Sequence, residues 1–328
     1  MRNHLIHTLC TLGERLTSFG TTDATRTIMA DACRENRWFT PEAIRVAVEA
    51  IRCEMLDRKK IEAWLAPYAV PVAKAKQVLI IAAGNIPLVG FFDLLCVIAG
   101  GHRAWVKPSS KDRVLMRYMM EELRAIDPAL PIALYDGTTQ PDAVIATGSD
   151  NTNRYFRAQY NGIPSLLRGS RQSVAVLTGE ETEEELRGLA EDIWLHNGLG
   201  CRNVSLVMLP EGAAFPQLIP PTLHPSYRNN YRQQRALRTL CGTEAIDLDG
   251  AIAVEQRTFP RALSELAYFH YRTLQEAVEW LTAHDNELQC VVTRAIDHPR
   301  RVDFGRAQHP ALTDYPDAVD VVAFLETI

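Results

Sequence analysis

The stretch "VLIIAAGNIPLVGFFDLLCVIAGG", residues 78–101, joins a short apolar run, a polar turn and a longer apolar run. Its interior Asn85 and Asp93 would be costly in lipid, which argues against a membrane span. A buried strand over 77–83, a turn, and a buried helix that ends at the glycine pair 100–101 explain the pattern better. The stretch therefore predicts the first strand and helix of an α/β domain.

The segments on both sides of this stretch alternate between helix-like and strand-like patterns. Residues 1–66 have apolar residues at helical spacing, with Thr40 and Pro41 as a helix cap and first-turn residue. Downstream, we predict strands within 102–109, 132–137, 142–149 and 173–179, helices within 110–126 and 182–200, a helix followed by a strand within 277–293, and a Pro-rich surface connection over 210–227. This alternation predicts an α/β fold with a largely parallel sheet.

The composition narrows the function classes. A formal net charge of −5 gives no basic field for nucleic acid or an anionic membrane. The seven cysteines are dispersed without a Cys-x-x-Cys pair, which argues against a zinc knuckle or a disulfide framework and fits a reducing cytosol. The N-terminal residues lack a signal-peptide pattern, and the histidines show no metal-ligand spacing. We expect a soluble, cytoplasmic protein with no metal site and no membrane span.

Three small polar motifs follow predicted strands: Asn85, Lys107-Pro108-Ser109 and Thr147-Gly148-Ser149. Ligands bind at the carboxyl ends of parallel strands. There an amide can stabilise an oxyanion, a lysine and a hydroxyl suit a ribose or a phosphate, and a glycine-containing turn admits a pyrophosphate. Taken singly, each motif is also explained as an ordinary turn or surface residue.

The stretch "NGLGCRNVS", residues 197–205, places Cys201 after two glycines at the end of a predicted helix. The glycines leave room for a substrate carbonyl beside the sulfur. A cysteine needs a lowered pKa or a nearby base to be a useful nucleophile, so a buried structural cysteine is the alternative. His196 could form a dyad with Cys201, although packing or capping at the helix end is the simpler interpretation.

The order of these four motifs resembles the aldehyde dehydrogenase superfamily, and within it the LuxC-type acyl-CoA reductases, the long-chain fatty acyl-CoA reductases. The likeness covers about residues 70–328 and includes the ending "VDFGRAQHPALTDYPDAVDVVAFL", residues 302–325. It implies an aldehyde dehydrogenase-like α/β fold. Residues 1–172 would form the N-terminal helices and a Rossmann-like dinucleotide-binding lobe, 173–300 a catalytic lobe, and 301–328 a tail that returns to the first lobe or to a partner subunit.

The resemblance also implies a role for each motif. Cys201 matches the nucleophile, and Asn85 matches the asparagine that holds the developing oxyanion together with the backbone N–H of the cysteine. Lys107 and Ser109 match residues that contact the adenosine ribose. The turn beneath the dinucleotide is matched by Thr147, Gly148 and Ser149.

Three departures from the superfamily pattern are informative. Leu167 stands where hydrolytic relatives have a glutamate that activates water, and a leucine cannot be a general base. Ser110 stands where many NAD-preferring relatives have a glutamate, and Lys111 and Arg113 lie close by in sequence, which favours NADPH, with NADH as the alternative. The superfamily's Glu-x-x-Phe-Gly-Pro motif has no clear counterpart, so neither Glu255 nor Glu265 is assigned to the nicotinamide ribose.

The resemblance and its departures together predict NADPH-dependent reduction of a fatty acyl thioester, acyl-CoA or acyl-carrier, to the aldehyde through an acyl-enzyme on Cys201. Two alternatives stay open. One is a CoA-acylating aldehyde dehydrogenase that works oxidatively. The other is a non-reducing, acyl-holding subunit of a thioester-processing complex. We further expect a homo-oligomer and an acyl-transferring or acyl-protein synthetase partner.

Overall fold

The computed structural model describes residues 2–328, which divide into two compact units. Of the described residues, unit 1 comprises 2–170 and 310–328, and unit 2 comprises 171–309. Unit 2 is thus inserted into unit 1 along the chain. Each unit contains its own sheet.

Unit 1 begins with four helices: α1 (Arg2–Leu16), α2 (Asp23–Glu35), α3 (Pro41–Ala50), which continues into a π-helical turn at Ile51–Met55, and α4 (Arg58–Leu65). The side chain of Thr40 accepts a hydrogen bond from the Ala43 amide at the start of α3, and Pro41 is the first helical residue. The predicted cap is therefore confirmed, because a hydroxyl satisfies an amide that has no partner within the helix.

A parallel five-stranded sheet forms the centre of unit 1 in the order β3-β2-β1-β4-β5. The strands are β1 (Gln77–Ile81), β2 (Arg103–Lys107), β3 (Ile132–Leu134), β4 (Ala143–Thr147) and β5 (Ser165–Arg168). The chain builds outward from β1 to β3 and then crosses back, so that β4 pairs with the other side of β1. This reversal creates a topological switch point at the carboxyl ends of β1 and β4, the usual ligand site of such sheets.

Three helices connect these strands: α5 (Phe91–Gly100), α6 (Arg113–Ile126) and α7 (Asp150–Gln159). Every residue of α5 is buried. The helix ends at Gly101, whose φ of +85° is left-handed, and a Cβ there would lie 2.5 Å from Cβ of Pro71. Only glycine fits both conditions, which confirms that the helix ends at the glycine pair.

Unit 2 contains a seven-stranded sheet in the order β12-β11-β6-β7-β10-β9-β8. Its strands are β6 (Gln172–Val176), β7 (Val204–Pro210), β8 (Ile246–Asp247), β9 (Ile252–Glu255), β10 (Glu265–Tyr271), β11 (Leu288–Val292) and β12 (Arg301–Val302). Its helices are α8 (Glu183–Trp194), α9 (Pro225–Cys241) and α10 (Leu274–Ala283). All strand pairs are parallel except β8 with β9, which confirms the predicted parallel character.

The C-terminal residues pack into unit 1. Helix α11 (Val321–Glu326) places Val321, Val322 and Leu325 in the main apolar core of that unit. The ring of buried His102, just after α5, lies 3.0 Å from the carbonyl oxygen of Leu325. Within the described part of the chain, no helix combines the length and hydropathy needed to cross a bilayer.

Candidate functional site

In unit 1, the loop that follows β1 is held tightly against the loop that follows β2. The Leu88 amide donates a 2.7 Å hydrogen bond to buried Asp112, and Asn36 donates one of 3.2 Å to the carbonyl oxygen of Gly84. A Cβ on Gly84 would lie 2.5 Å from Oγ of Ser109, so only glycine allows this approach. The loop thereby presents Asn85 as an exposed residue at a fixed place.

The residues predicted to contact a ribose lie at the same edge of the sheet. Lys107 ends β2 with an exposed side chain, and its carbonyl oxygen accepts a 3.1 Å hydrogen bond from the Ala82 amide. Ser109 is half-buried and accepts from the Lys111 amide over 3.2 Å. The structure therefore brings Lys107 and Ser109 together beside the loop that contains Asn85.

The turn at 147–149 lies at the carboxyl end of β4, next to β1. Ser149 caps α7, because its hydroxyl accepts from the Thr152 amide over 3.4 Å. Gly148 donates a 3.2 Å hydrogen bond to the carbonyl oxygen of Arg168, and a Cβ on Gly148 would lie 3.1 Å from Cβ of Thr152. The turn thus leads into a helix N-terminus, which favours an anionic group. All the motifs predicted in unit 1 therefore share one edge of its sheet.

Two side chains beside this edge were missed by sequence reasoning. Arg168, at the end of β5, donates from one nitrogen to both carboxylate oxygens of Asp93 over 2.7 and 2.9 Å, and both side chains are about 95% buried. Neither residue belongs to a recognisable motif. Their pairing links the end of β5 to the first turn of α5. The neighbouring Leu167 packs against the apolar cluster under α7, which includes Val144 and Phe156.

Glu35 changes the interpretation of the residues near the expected 2′-phosphate. Ser110 and Lys111 are exposed. Arg113, however, forms a 2.6 Å ion pair with Glu35, which also accepts from the Val114 amide over 3.1 Å. Arg113 is thus already neutralised by a carboxylate that is far away in sequence. The argument for NADPH therefore depends on Ser110 and Lys111.

In unit 2, the loop that presents Cys201 has an unusual backbone. Helix α8 ends at Trp194, and then His196, Asn197 and Gly198 have φ values of 54°, 58° and 64°. Such left-handed conformations cost little only for glycine. The two glycines were expected to leave room near the sulfur. The structure shows a second reason for a glycine at position 198, because the backbone there is left-handed.

Side-chain hydrogen bonds hold this loop in place. Buried Asn203 donates to the carbonyl oxygens at the end of α8, those of Asp192, Ile193 and Leu195, over 2.8–3.2 Å. Its Oδ1 accepts from the Gly200 amide over 2.8 Å. Ser173, buried in β6, donates to the carbonyl oxygen of Cys201 over 2.9 Å. Cys201 is therefore an exposed residue on an anchored loop at the amino end of β7.

His196 lies beyond the end of α8 and is buried. Burial, assisted by the nearby His309, lowers the pKa of His196 to about 4. Its ring is therefore neutral at physiological pH. Among residues 2–328, no cluster of three or more His, Cys, Asp or Glu side chains could hold a metal ion.

The fold is that of the aldehyde dehydrogenases. The chain superposes on aldehyde dehydrogenase 21 from Physcomitrella patens, solved with succinate, with a TM-score of 0.67 and 13% identity over 100% of this chain and 84% of that one. NADP-dependent glyceraldehyde-3-phosphate dehydrogenase from Bacillus halodurans, solved with NADP, gives a TM-score of 0.59 and 12% identity over 90% and 74%. Betaine aldehyde dehydrogenase from Staphylococcus aureus, solved with NAD+, gives 0.56 and 13% over 90% and 72%.

At the level of sequence, residues 21–216 match the family described as Acyl-CoA reductase (LuxC), which is more than half of the chain. No match was found among curated proteins.

Proposed function

Because the chain belongs to the acyl-CoA reductase (LuxC) family, we propose that it reduces a fatty acyl thioester to the aldehyde with NADPH, through an acyl-enzyme on Cys201. The observation that carries this proposal is the anchored loop of unit 2, which presents an exposed cysteine at the amino end of a central strand. In unit 1, a switch point surrounded by the predicted nucleotide motifs supports the use of a dinucleotide.

The residues at the carboxyl edge of unit 1 fit a dinucleotide. Gly148 has no side chain to keep a pyrophosphate from the N-terminus of α7, and the Ser149 hydroxyl caps that helix. Lys107 is exposed, and Ser109 is half-buried beside it. We assign the pyrophosphate to the 147–149 turn, the adenosine ribose to Lys107 and Ser109, and the vicinity of the 2′-phosphate to Ser110. When bound, the dinucleotide supplies a hydride to the acyl carbon.

The remaining steps belong to side chains of this chain. The thiolate of Cys201 attacks the thioester carbonyl. We assign the hydrogen bonds to the resulting oxyanion to the Cys201 amide and, on the resemblance to the superfamily, to Asn85. When the oxyanion collapses, the bond to CoA breaks and CoA leaves as a thiolate. After reduction of the acyl carbon, the bond to Cys201 breaks, and aldehyde and the Cys201 thiolate are released. One acyl-CoA, one NADPH and one proton thus give aldehyde, CoA and NADP+.

The experiment combines purified protein, NADPH or NADH, and acyl-CoAs of increasing chain length, and follows absorbance at 340 nm together with aldehyde. We expect oxidation of NADPH and equal formation of aldehyde. Cys201→Ala should abolish NADPH oxidation and aldehyde formation, and its affinity for NADPH should stay within a few-fold of the wild type. Cys241→Ala, which changes another exposed cysteine, is the control and should retain both activities.

Two outcomes would point to the alternatives. Turnover only with aldehyde, CoA and oxidised dinucleotide would indicate an acylating dehydrogenase. Acylation of Cys201 without aldehyde would indicate an acyl-holding subunit. Replacing acyl-CoA by an acyl-carrier thioester tests which thioester donates the acyl group. Determination of the molecular mass in solution tests the expected homo-oligomer.

A further inference from the structure

Asp192 is a buried carboxylate in the last turn of α8 and faces a segment far away in sequence. It is 0% exposed. One of its oxygens accepts a 2.7 Å hydrogen bond from the Gly305 amide, and the other accepts one of 3.0 Å from the Ala307 amide. The two carboxylate oxygens therefore accept hydrogen bonds from two backbone amides of residues 303–307, a stretch without regular secondary structure.

This stretch lies directly on the backbone of α8. A Cβ on Gly188, one turn before Asp192, would lie 2.7 Å from the amide nitrogen of Gly305 and 2.8 Å from the carbonyl carbon of Phe304. Gly305 itself has a φ of +75°. Two glycines thus permit the contact that the carboxylate fixes, because any larger residue at 188 would meet backbone atoms that cannot move aside.

The main chain of Asp192 is also connected to residues 198–203, the loop that presents Cys201 and is called the nucleophile loop below. Its carbonyl oxygen accepts a 3.0 Å hydrogen bond from Nδ2 of Asn203. The Oδ1 of the same asparagine accepts from the amide of Gly200, the residue immediately before Cys201. A shift at the end of α8 would therefore be transmitted to Cys201 through a single buried side chain.

We propose that Asp192 is a positioning residue for Cys201. Its carboxylate fixes residues 303–307 against α8, and this contact fixes the position of the last turn of α8. Asn203 bonds to the carbonyl oxygens of that turn and so holds the nucleophile loop in place. The proposal rests on the proposed function for the role of Cys201 alone. Asp192 contacts neither substrate nor dinucleotide in this scheme. It acts through Asn203.

The ionisation of Asp192 gives the contact a pH dependence. Burial raises the pKa of Asp192 to about 7, although the Gly305 and Ala307 amides oppose the shift. Of the charged groups that face it, Glu191 on α8 raises the pKa and His309 lowers it. The buried ring of His196 is neutral in this range because its pKa is about 4. Because this pKa is higher than that of an aspartate in water, proton uptake favours the closed contact, and the contact weakens as the pH rises through about 7.

The test compares Asp192→Asn, which presents a donor to one of the two amides, with Gly188→Ala, which breaks the same contact by bulk. Glu184→Gln removes an exposed charge from the same helix and is the control. We expect kcat to fall on the order of 10²-fold in the first two variants, the cost of misplacing a reacting atom by about an ångström. KM for NADPH should stay within a few-fold, and the control should match the wild type. Asp192→Asn, which has no titratable group, should also lose the decrease in kcat that the wild type shows as the pH rises through about 7.

A second measurement does not depend on reductase activity or on a stable variant. Amide hydrogen exchange in the wild-type protein, corrected for intrinsic rates, should show protection of 303–307 and of 198–203 rising together as the pH is lowered from about 8 to about 6, because proton uptake by Asp192 favours the closed contact. The proposal would be overturned if protection in the two segments changed independently. It would also be overturned if the Asp192→Asn variant had the kcat and the pH profile of the wild type. If the wild type reduces no thioester but the two segments still change together, the proposed function fails and the coupling stands.

Discussion

The hydroxyl of Ser173 donates a 2.9 Å hydrogen bond to the carbonyl oxygen of Cys201. It also accepts a 3.0 Å hydrogen bond from the amide of Cys290. The pairing of β6 with β7 shifts register just after Ser173, and the pairing of β6 with β11 shifts between Leu288 and Val291. The hydroxyl therefore bonds to backbone groups beside two irregularities of the sheet, and one of these groups belongs to Cys201, the nucleophile that we propose.

Ser173→Ala removes both bonds, one of which is made by the buried Cys290 amide. We expect the free energy of unfolding to fall by about 1–3 kcal/mol and kcat to fall further than stability alone explains, because the Cys201 loop loses an anchor. Denaturant unfolding and turnover below the unfolding transition check this. Ser205→Ala, which removes a hydroxyl bonded only to Gln172 in the described contacts, is the matched control and should lose stability alone.

Asn85→Ala tests the oxyanion assignment. Asn85 is exposed, so its truncation should leave the melting temperature near that of the wild type. Loss of one oxyanion donor should reduce kcat on the order of 10²–10³-fold. Steady-state kinetics with dinucleotide binding as a control measures this. A two-fold effect would make Asn85 an ordinary turn residue.

The dinucleotide preference should respond to charge at position 110. Ser110→Glu should shift the ratio of kcat/KM for NADPH and NADH toward NADH, because a carboxylate repels a 2′-phosphate. Ser110→Gln has the same bulk without the charge and should shift the ratio much less. Glu35→Gln should shift it the other way, since it releases Arg113 from its ion pair. A wild type that already prefers NADH would contradict the assignment of NADPH.

The lifetime of the acyl-enzyme should depend on Leu167. Without a general base, water is a poor nucleophile, so in the absence of NADPH the acyl group should persist on Cys201 in intact-protein mass spectra. Leu167→Glu should accelerate release of free fatty acid by up to about 10²–10⁴-fold, the usual contribution of a positioned base. Leu167→Gln is the control without a base. Rapid hydrolysis by the wild type would mean that another residue activates water.

The stabilisation that the two buried histidines contribute should fall as the pH is lowered below about 6.5, the ordinary pKa of histidine, because burial resists their protonation. Burial lowers the pKa of His102 and lowers that of His196 to about 4. The unfolded chain therefore takes up protons first, and the stabilisation present above pH 6.5 is lost as the pH falls toward the folded pKa values, by about 3 kcal/mol for His196. Asp192 has the opposite slope between about pH 4 and 7, since its pKa is raised. The difference between wild type and His196→Asn in unfolding free energy, measured against pH, isolates the histidine contribution.

Short-range signals in the sequence were sufficient for much of unit 1. The strand, turn and helix over 78–101 are correct because apolar runs and a terminal glycine pair are local features. Helix α9 was not predicted, because only Tyr227 and Tyr231 of its residues are buried and no apolar stripe marks it. The long-range partners of the site were equally inaccessible. Glu35 meets the start of α6 from 79 residues away in sequence, and Asn203 has no pattern that distinguishes it from a turn residue.

The packing of residues 310–328 into unit 1 bears on how the chain is made. The core of unit 1 includes Leu312, Val321, Val322 and Leu325 beside residues of α1 and α5. During synthesis these residues leave the ribosome after all of unit 2, so unit 2 can fold while unit 1 still exposes the apolar surface that the tail will cover. Such an exposed surface is prone to aggregation. Nascent chains stalled before residue 310 should therefore recruit chaperones to unit 1, and release of the last segment should end that dependence.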